Sequence, residues 1–242
     1  MLKYVLANFK SYAIDLLPYL ERLDSSLDAK LAPYVVLLPP ILELGQVQHA
    51  YAHFSLGAQN AYPALEGAFS GEVTLQALQK RQIKSVLIGH SERRLLESDS
   101  FCTEKFHFFK SHHFQIIFCI GESLELREQG EKALVAHLLK QLEGIDLDYP
   151  KLIVAYEPIW AIGTGVSAQS SDIANTLCAL KAGLRQAGRT IPLMVYGGSV
   201  QTSNATEILD LAEVDGVLVG KACLDLDSLL EIIRISACKE LA

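Results

Sequence analysis

Eight short runs rich in branched apolar residues recur along the chain, separated by stretches whose apolar residues fall three or four apart. The runs are YVLA (4–7), YVVLL (34–38), FSLGA (54–58), SVLIG (85–89), QIIFCI (115–120), LIVAY (152–156), PLMVY (192–196) and GVLVG (216–220). Near-continuous apolar runs suit parallel strands covered on both faces. The intervening VTLQALQKRQ (73–82), EKALVAHLLKQLEG (131–144), SDIANTLCALKAGLRQAG (171–188) and SLLEIIRISACKEL (228–241) read as amphipathic helices. Ser171 and Asp172 are expected N-caps, and Gly144 and Gly188 expected stops. Eight such units in 242 residues predict an α/β chain closed into a single-domain (β/α)8 barrel. An open doubly wound sheet is the competing architecture. It fits less well, because no G-x-G-x-x-G follows the first run and polar or glycine residues follow nearly every strand. No linker or composition shift divides residues 1–242.

The strand ends carry the functional signal. Asn8 and Lys10 follow the first run, Gln59 and Asn60 the third, His90 and Glu92 the fourth, and Glu122 the fifth. Glu157 follows the sixth, Gly197 to Ser199 the seventh, and Gly220 with Lys221 the eighth. A barrel gathers all of these at its C-terminal mouth, where such folds build their sites. Glu157 then precedes Pro158, Ile159, Trp160, Ile162, Gly163 and Gly165. A surface turn favours small polar residues, whereas large apolar side chains are costly in water unless they cover something. Residues 158–168 therefore read as a hinged lid beside an acid. Glu157 is read as a general base with its pKa raised by burial, against the plain alternative of a solvated strand-end acid. His90 opens the helix-like SERRLLE (91–97), whose positive end disfavours imidazolium, so a neutral ring is expected. Lys10 would offset negative charge on a ligand, and the glycine segments let backbone N–H groups approach an anion.

A net charge of -7, a pI near 5.5 and the lack of any Lys/Arg run argue against nucleic-acid or anionic-membrane partners. Five scattered cysteines without C-x-x-C argue against a disulfide framework or zinc site, and His107, His112 and His113 lack completing ligands. Neither metal nor cofactor is expected. With no signal-like leader and no membrane-length apolar run, a soluble cytoplasmic protein is expected. Residues 59–71 (QNAYPALEGAFSG) form a long connection without regular period, and Tyr62, Leu65 and Phe69 in it suit burial better than water.

The stretches NFK (8–10), AQNAY (58–62), GAFSGE (67–72), IGHSERR (88–94), CIGE (119–122), YEPIWAIGTG (156–165) and YGGSV (196–200) stand in order at strand ends. On these the chain resembles the triosephosphate isomerase family along nearly its whole length. The resemblance implies a TIM barrel that interconverts dihydroxyacetone phosphate and glyceraldehyde 3-phosphate through an enediolate. It implies Glu157 as base, His90 as electrophile and Lys10 as cation; triosephosphate isomerases are themselves the standard example of a glutamate paired with a neutral histidine. Asn8, Lys10, Gly163, Ser199, Gly220 and Lys221 would hold the substrate. Glu92 and Glu122 would tether neighbouring residues, while Ile162 and Leu218 press on Glu157. In a lid stiffened at Pro158, Trp160 would reach Glu122 on closure and Tyr196 would meet the chain near Ala168. A homodimer built through residues 59–71 would place Ser70 near the neighbour's Lys10. The chain departs from the usual pattern at Phe9 and Ser11, where tryptophan and methionine are more common, and at Lys221, which replaces a glycine. A non-catalytic phosphometabolite-binding protein on the same barrel is the alternative.

Overall fold

Eight parallel strands pair in chain order and close on themselves, β1 with β8, in a computed structural model that describes residues 2–162 and 168–237. They are β1 (Tyr4–Asn8), β2 (Val35–Leu38), β3 (Ser55–Ala58), β4 (Ser85–Ile88), β5 (Gln115–Ile120), β6 (Leu152–Tyr156), β7 (Leu193–Tyr196) and β8 (Gly216–Val219). Each expected strand forms within a residue or two of its sequence bounds. Closure aligns Tyr4 with Gly216 and Leu6 with Leu218. A Cβ on Gly216 would lie 2.3 Å from the Tyr4 carbonyl oxygen, so the seam needs glycine there.

Alternation along each strand builds two cores. Leu6, Val36, Leu87, Ile117, Cys119, Ile153, Val195 and Leu218 point inward and fill the barrel. Their neighbours, such as Val5, Ala7, Ile116, Phe118, Val217 and Val219, point outward against the helices. That double burial is why the strands read as apolar at consecutive positions.

The helices that matter for the mouth follow the period of their sequences. Leu75–Lys80, Glu131–Gln141, Ser170–Gln186 and Leu226–Ala237 correspond to the four amphipathic stretches. The end of the last stretch, residues 238–241, lies outside the described residues. One expected boundary is corrected: Gln169 is the N-cap of Ser170–Gln186, so Ser171 and Asp172 sit inside its first turn. Asp172 there suits the positive helix end and also pairs with Arg127 at 3.0 Å. Gly144 and Gly188 follow their helices at φ +75° and +66°, left-handed values that end a helix readily only in glycine.

Candidate active site

One cavity of about 670 Å³ opens at the C-terminal mouth of the barrel. Asn8, Lys10, His90, Glu157, Ile162, Gly197, Ser199, Leu218, Gly220 and Lys221 all line it, so most of the sequence-predicted site is brought together. Gly163 lies outside the described residues.

Glu157 leaves β6 with its backbone N–H bonded to the Ile120 carbonyl, which fixes it against β5. Its side chain is almost wholly buried. Oε2 accepts from the Ser91 N–H at 2.9 Å, while Oε1 has no aligned donor among the described residues. His90 Nε2 lies 3.2 Å from Oε1 without the alignment of a hydrogen bond. Burial pushes the Glu157 carboxyl above the usual carboxylate range, against the opposing pull of His90, the Ser91 N–H and Lys10. Gly197 backs it closely: a Cβ there would lie 2.9 Å from Glu157 Cγ. The glycine expected for anion approach also makes room for the carboxylate.

His90 caps the short helix Ser91–Arg94. Its Nδ1 accepts the Glu92 N–H at 3.3 Å, which leaves the proton of a neutral ring on Nε2, the nitrogen near Glu157. The ring is thereby set to donate into the cavity.

Lys10 adopts φ +51°, an uncommon conformation for a side chain of this size, and its N–H is held by Asn8 Oδ1 at 3.0 Å. The Lys10 carbonyl accepts from Gln59 Nε2 at 2.7 Å. Its ammonium meets Glu92 Oε1 at 2.6 Å. The tethering expected of Glu92 is thus a salt bridge to Lys10, and Asn8 acts on the Lys10 backbone. Sequence reasoning missed the strained Lys10 backbone and the part played by Gln59; an Asn two residues before a non-glycine turn was the available signal for the first.

Behind the cavity, Glu122 accepts from Tyr156 Oη and Trp160 Nε1, both at 3.0 Å. Burial raises its pKa against these bonds and Arg127. Arg127 also lies over the Trp160 ring at 5.0 Å. Pro158 caps the single turn Ile159–Ala161, and Ser199 Oγ donates to the Ala161 carbonyl at 2.9 Å. Tyr196 is buried, and its hydroxyl has no hydrogen-bond partner among the described residues. That hydroxyl occupies the space a Cβ on Gly198 would need, 2.0 Å away. Lys221 does not take a positive φ, so replacing glycine there imposes no backbone strain. Cys119 points into the barrel, with its thiol pushed up by burial and then by Glu157, as core packing rather than as a nucleophile.

The sequence model of the family described as triosephosphate isomerase matches residues 3–236. The chain belongs to the triosephosphate isomerase family. A triosephosphate isomerase from Helicobacter pylori (strain Shi470) is 51% identical over 238 residues, covering 96% of this chain and 99% of that protein. One from Wolinella succinogenes is 51% identical over 219 residues, covering 89% of this chain and 91% of its own length. A Sulfurovum sp. relative of the same name is 50% identical over 218 residues with the same coverage. Family membership bears out the resemblance read from the seven motifs. Among the described residues no helix is long and apolar enough to cross a membrane, and no group of three His, Cys, Asp or Glu could hold a metal ion.

Proposed function

We propose that this protein is a triose-phosphate isomerase, converting dihydroxyacetone phosphate to D-glyceraldehyde 3-phosphate in glycolysis and back in gluconeogenesis. The observation that carries the reading is the buried, under-bonded Glu157 Oε1 beside His90 Nε2, at the edge of a cavity that also holds Lys10. Glu157 takes the proton from C1 of the ketose, and the electron pair moves onto the C2 oxygen as the enediolate forms. His90 Nε2–H donates to that oxygen, and Lys10 offsets the charge. A proton passes from the C1 hydroxyl to the C2 oxygen by way of the His90 ring, the electron pair left on the C1 oxygen forms the aldehyde carbonyl, and Glu157 returns its proton to C2.

Ser199, Gly220 and Lys221 hold the phosphate, with Gly163 of the lid, and Asn8 holds Lys10 in place. Ile162 and Leu218 exclude water from the carboxylate. Trp160, anchored on Glu122, and Tyr196 with Ala168 set the closed position of the lid. Dry closure matters because a solvated enediolate expels its neighbouring phosphate. The test is Glu157→Gln: a purified variant that isomerises as well as the parent sinks the assignment.

Residues 59–71 support a homodimer. Leu65 and Phe69 are exposed there, and Ile41, Leu42, Leu95 and Leu96 are exposed elsewhere. A second cavity of about 350 Å³ is lined by Ile41, Gly71, Val73, Arg93 and Lys10, so a neighbour's loop entering it would reach the lysine. The protein is proposed to work in the cytoplasm, as one catalytic domain over residues 1–242, without metal or cofactor.

A further inference from the structure

Tyr19 lies outside the cavity, on the helix Leu16–Ser26, yet touches residues that adjoin two of its walls. Its hydroxyl donates to the Cys223 carbonyl at 2.7 Å. Cys223 sits in the short turn Lys221–Leu224, and its own N–H returns to the Gly220 carbonyl at 2.9 Å. Gly220, Lys221 and Ala222 line the cavity. The ring of Tyr19 meets Phe9 edge-on at 5.3 Å, and Phe9 is fully buried between Asn8 and Lys10. The two walls are close: a Cβ on Gly220 would lie 3.6 Å from Lys10 Cε.

We propose that Tyr19 is a positioning residue that sets the spacing between Lys10 and the Gly220–Lys221 wall, and so the grip on the substrate phosphate. This rests on the isomerase reading and assigns a residue to it. The ring supports the strand end that carries Lys10, and the hydroxyl pulls the far end of the turn back against the helix. Neither group needs to touch the substrate. The Tyr19 hydroxyl is itself committed, since burial raises its pKa and its proton is engaged by a carbonyl.

Tyr19→Phe removes the hydroxyl and keeps the ring. A neutral hydrogen bond of ordinary net strength predicts that KM for triose phosphate and the dissociation constant for inorganic phosphate rise together, by about three- to tenfold. kcat should change little. Tyr19→Leu removes the ring too and should lower kcat as well, through Lys10. Titration calorimetry with inorganic phosphate reads the grip without turnover. An unfolded fraction lowers the binding stoichiometry and leaves the dissociation constant unmoved, so lost folding and a loosened grip read separately. A lowered melting temperature with unchanged KM and phosphate affinity in Tyr19→Phe overturns the inference. If the parent binds phosphate but does not isomerise triose phosphate, the functional reading falls while the phosphate comparison still decides the role of Tyr19. A parent that does not bind phosphate overturns both.

Discussion

A carboxylate as enclosed as Glu157, with one oxygen lacking an aligned donor, costs the fold free energy that a neutral amide would not. Burial raises its folded pKa above that of the unfolded chain, so the folded state holds the proton more tightly and stability falls as pH rises through that interval. The cost grows through that interval and is complete above it. Glu157→Gln should therefore raise the melting temperature at neutral pH while lowering kcat/KM by about a thousandfold, within the usual range for a lost general base. Thermal unfolding beside a coupled assay checks both, and a lower melting temperature contradicts the strain. The same shift places the acid limb of the kcat/KM profile above the ordinary carboxylate range, because the base must be ionised. Lys221 makes a second test. It lines the cavity and, among the described residues, has no acid in salt-bridge range, unlike Lys10, which pairs with Glu92. Lys221→Gly should weaken inhibition by inorganic phosphate; equal or tighter inhibition contradicts a cationic role.

At the scale of elements, the turn Ile159–Ala161 is anchored through Trp160 on Glu122 and Arg127, and through the Ala161 carbonyl on Ser199. Trp160→Ala should weaken substrate retention and raise the yield of free phosphate per turnover, as an opened site lets the enediolate eliminate. Unchanged turnover with no added phosphate would remove this turn from the mechanism. The helix Asp99–Ser111 holds a group that the sequence hid. Lys105 is buried, 2.8 Å from Glu97 Oε2 and 2.7 Å from Asn60 Oδ1, with Phe101 beneath its ammonium. A lysine at a helical position reads as solvated, because period says which face a residue takes but not what a loop brings over it. Lys105→Ala should destabilise by about 3–5 kcal/mol, as expected when one partner of a buried pair is removed, measured by urea unfolding. The strands were legible because both faces are buried. The short helices Ile41–Leu44 and Leu124–Glu128 were not read as helices, being too brief to show a period, whereas the helix-like stretch after His90 forms as Ser91–Arg94.

The whole molecule explains why so much of the site was readable. Closure forces every strand end to one mouth, so Asn8, His90, Glu157 and Lys221, far apart in the chain, had to meet once eight units were counted. What the count could not give was orientation: the Nδ1 bond that leaves the His90 proton on Nε2, or the left-handed Lys10. The exposed Leu65 and Phe69, with the second cavity that reaches Lys10, predict a dimer in solution, and sedimentation showing a fully active monomer at micromolar concentration contradicts it. The central claim is that Glu157 moves a proton between adjacent carbons beside His90. Dihydroxyacetone phosphate supplied in heavy water tests this most directly. The account predicts glyceraldehyde 3-phosphate bearing deuterium at C2, formed about a thousandfold more slowly by Glu157→Gln. No aldose product from the parent protein, or equal deuterated product from the variant, would contradict it.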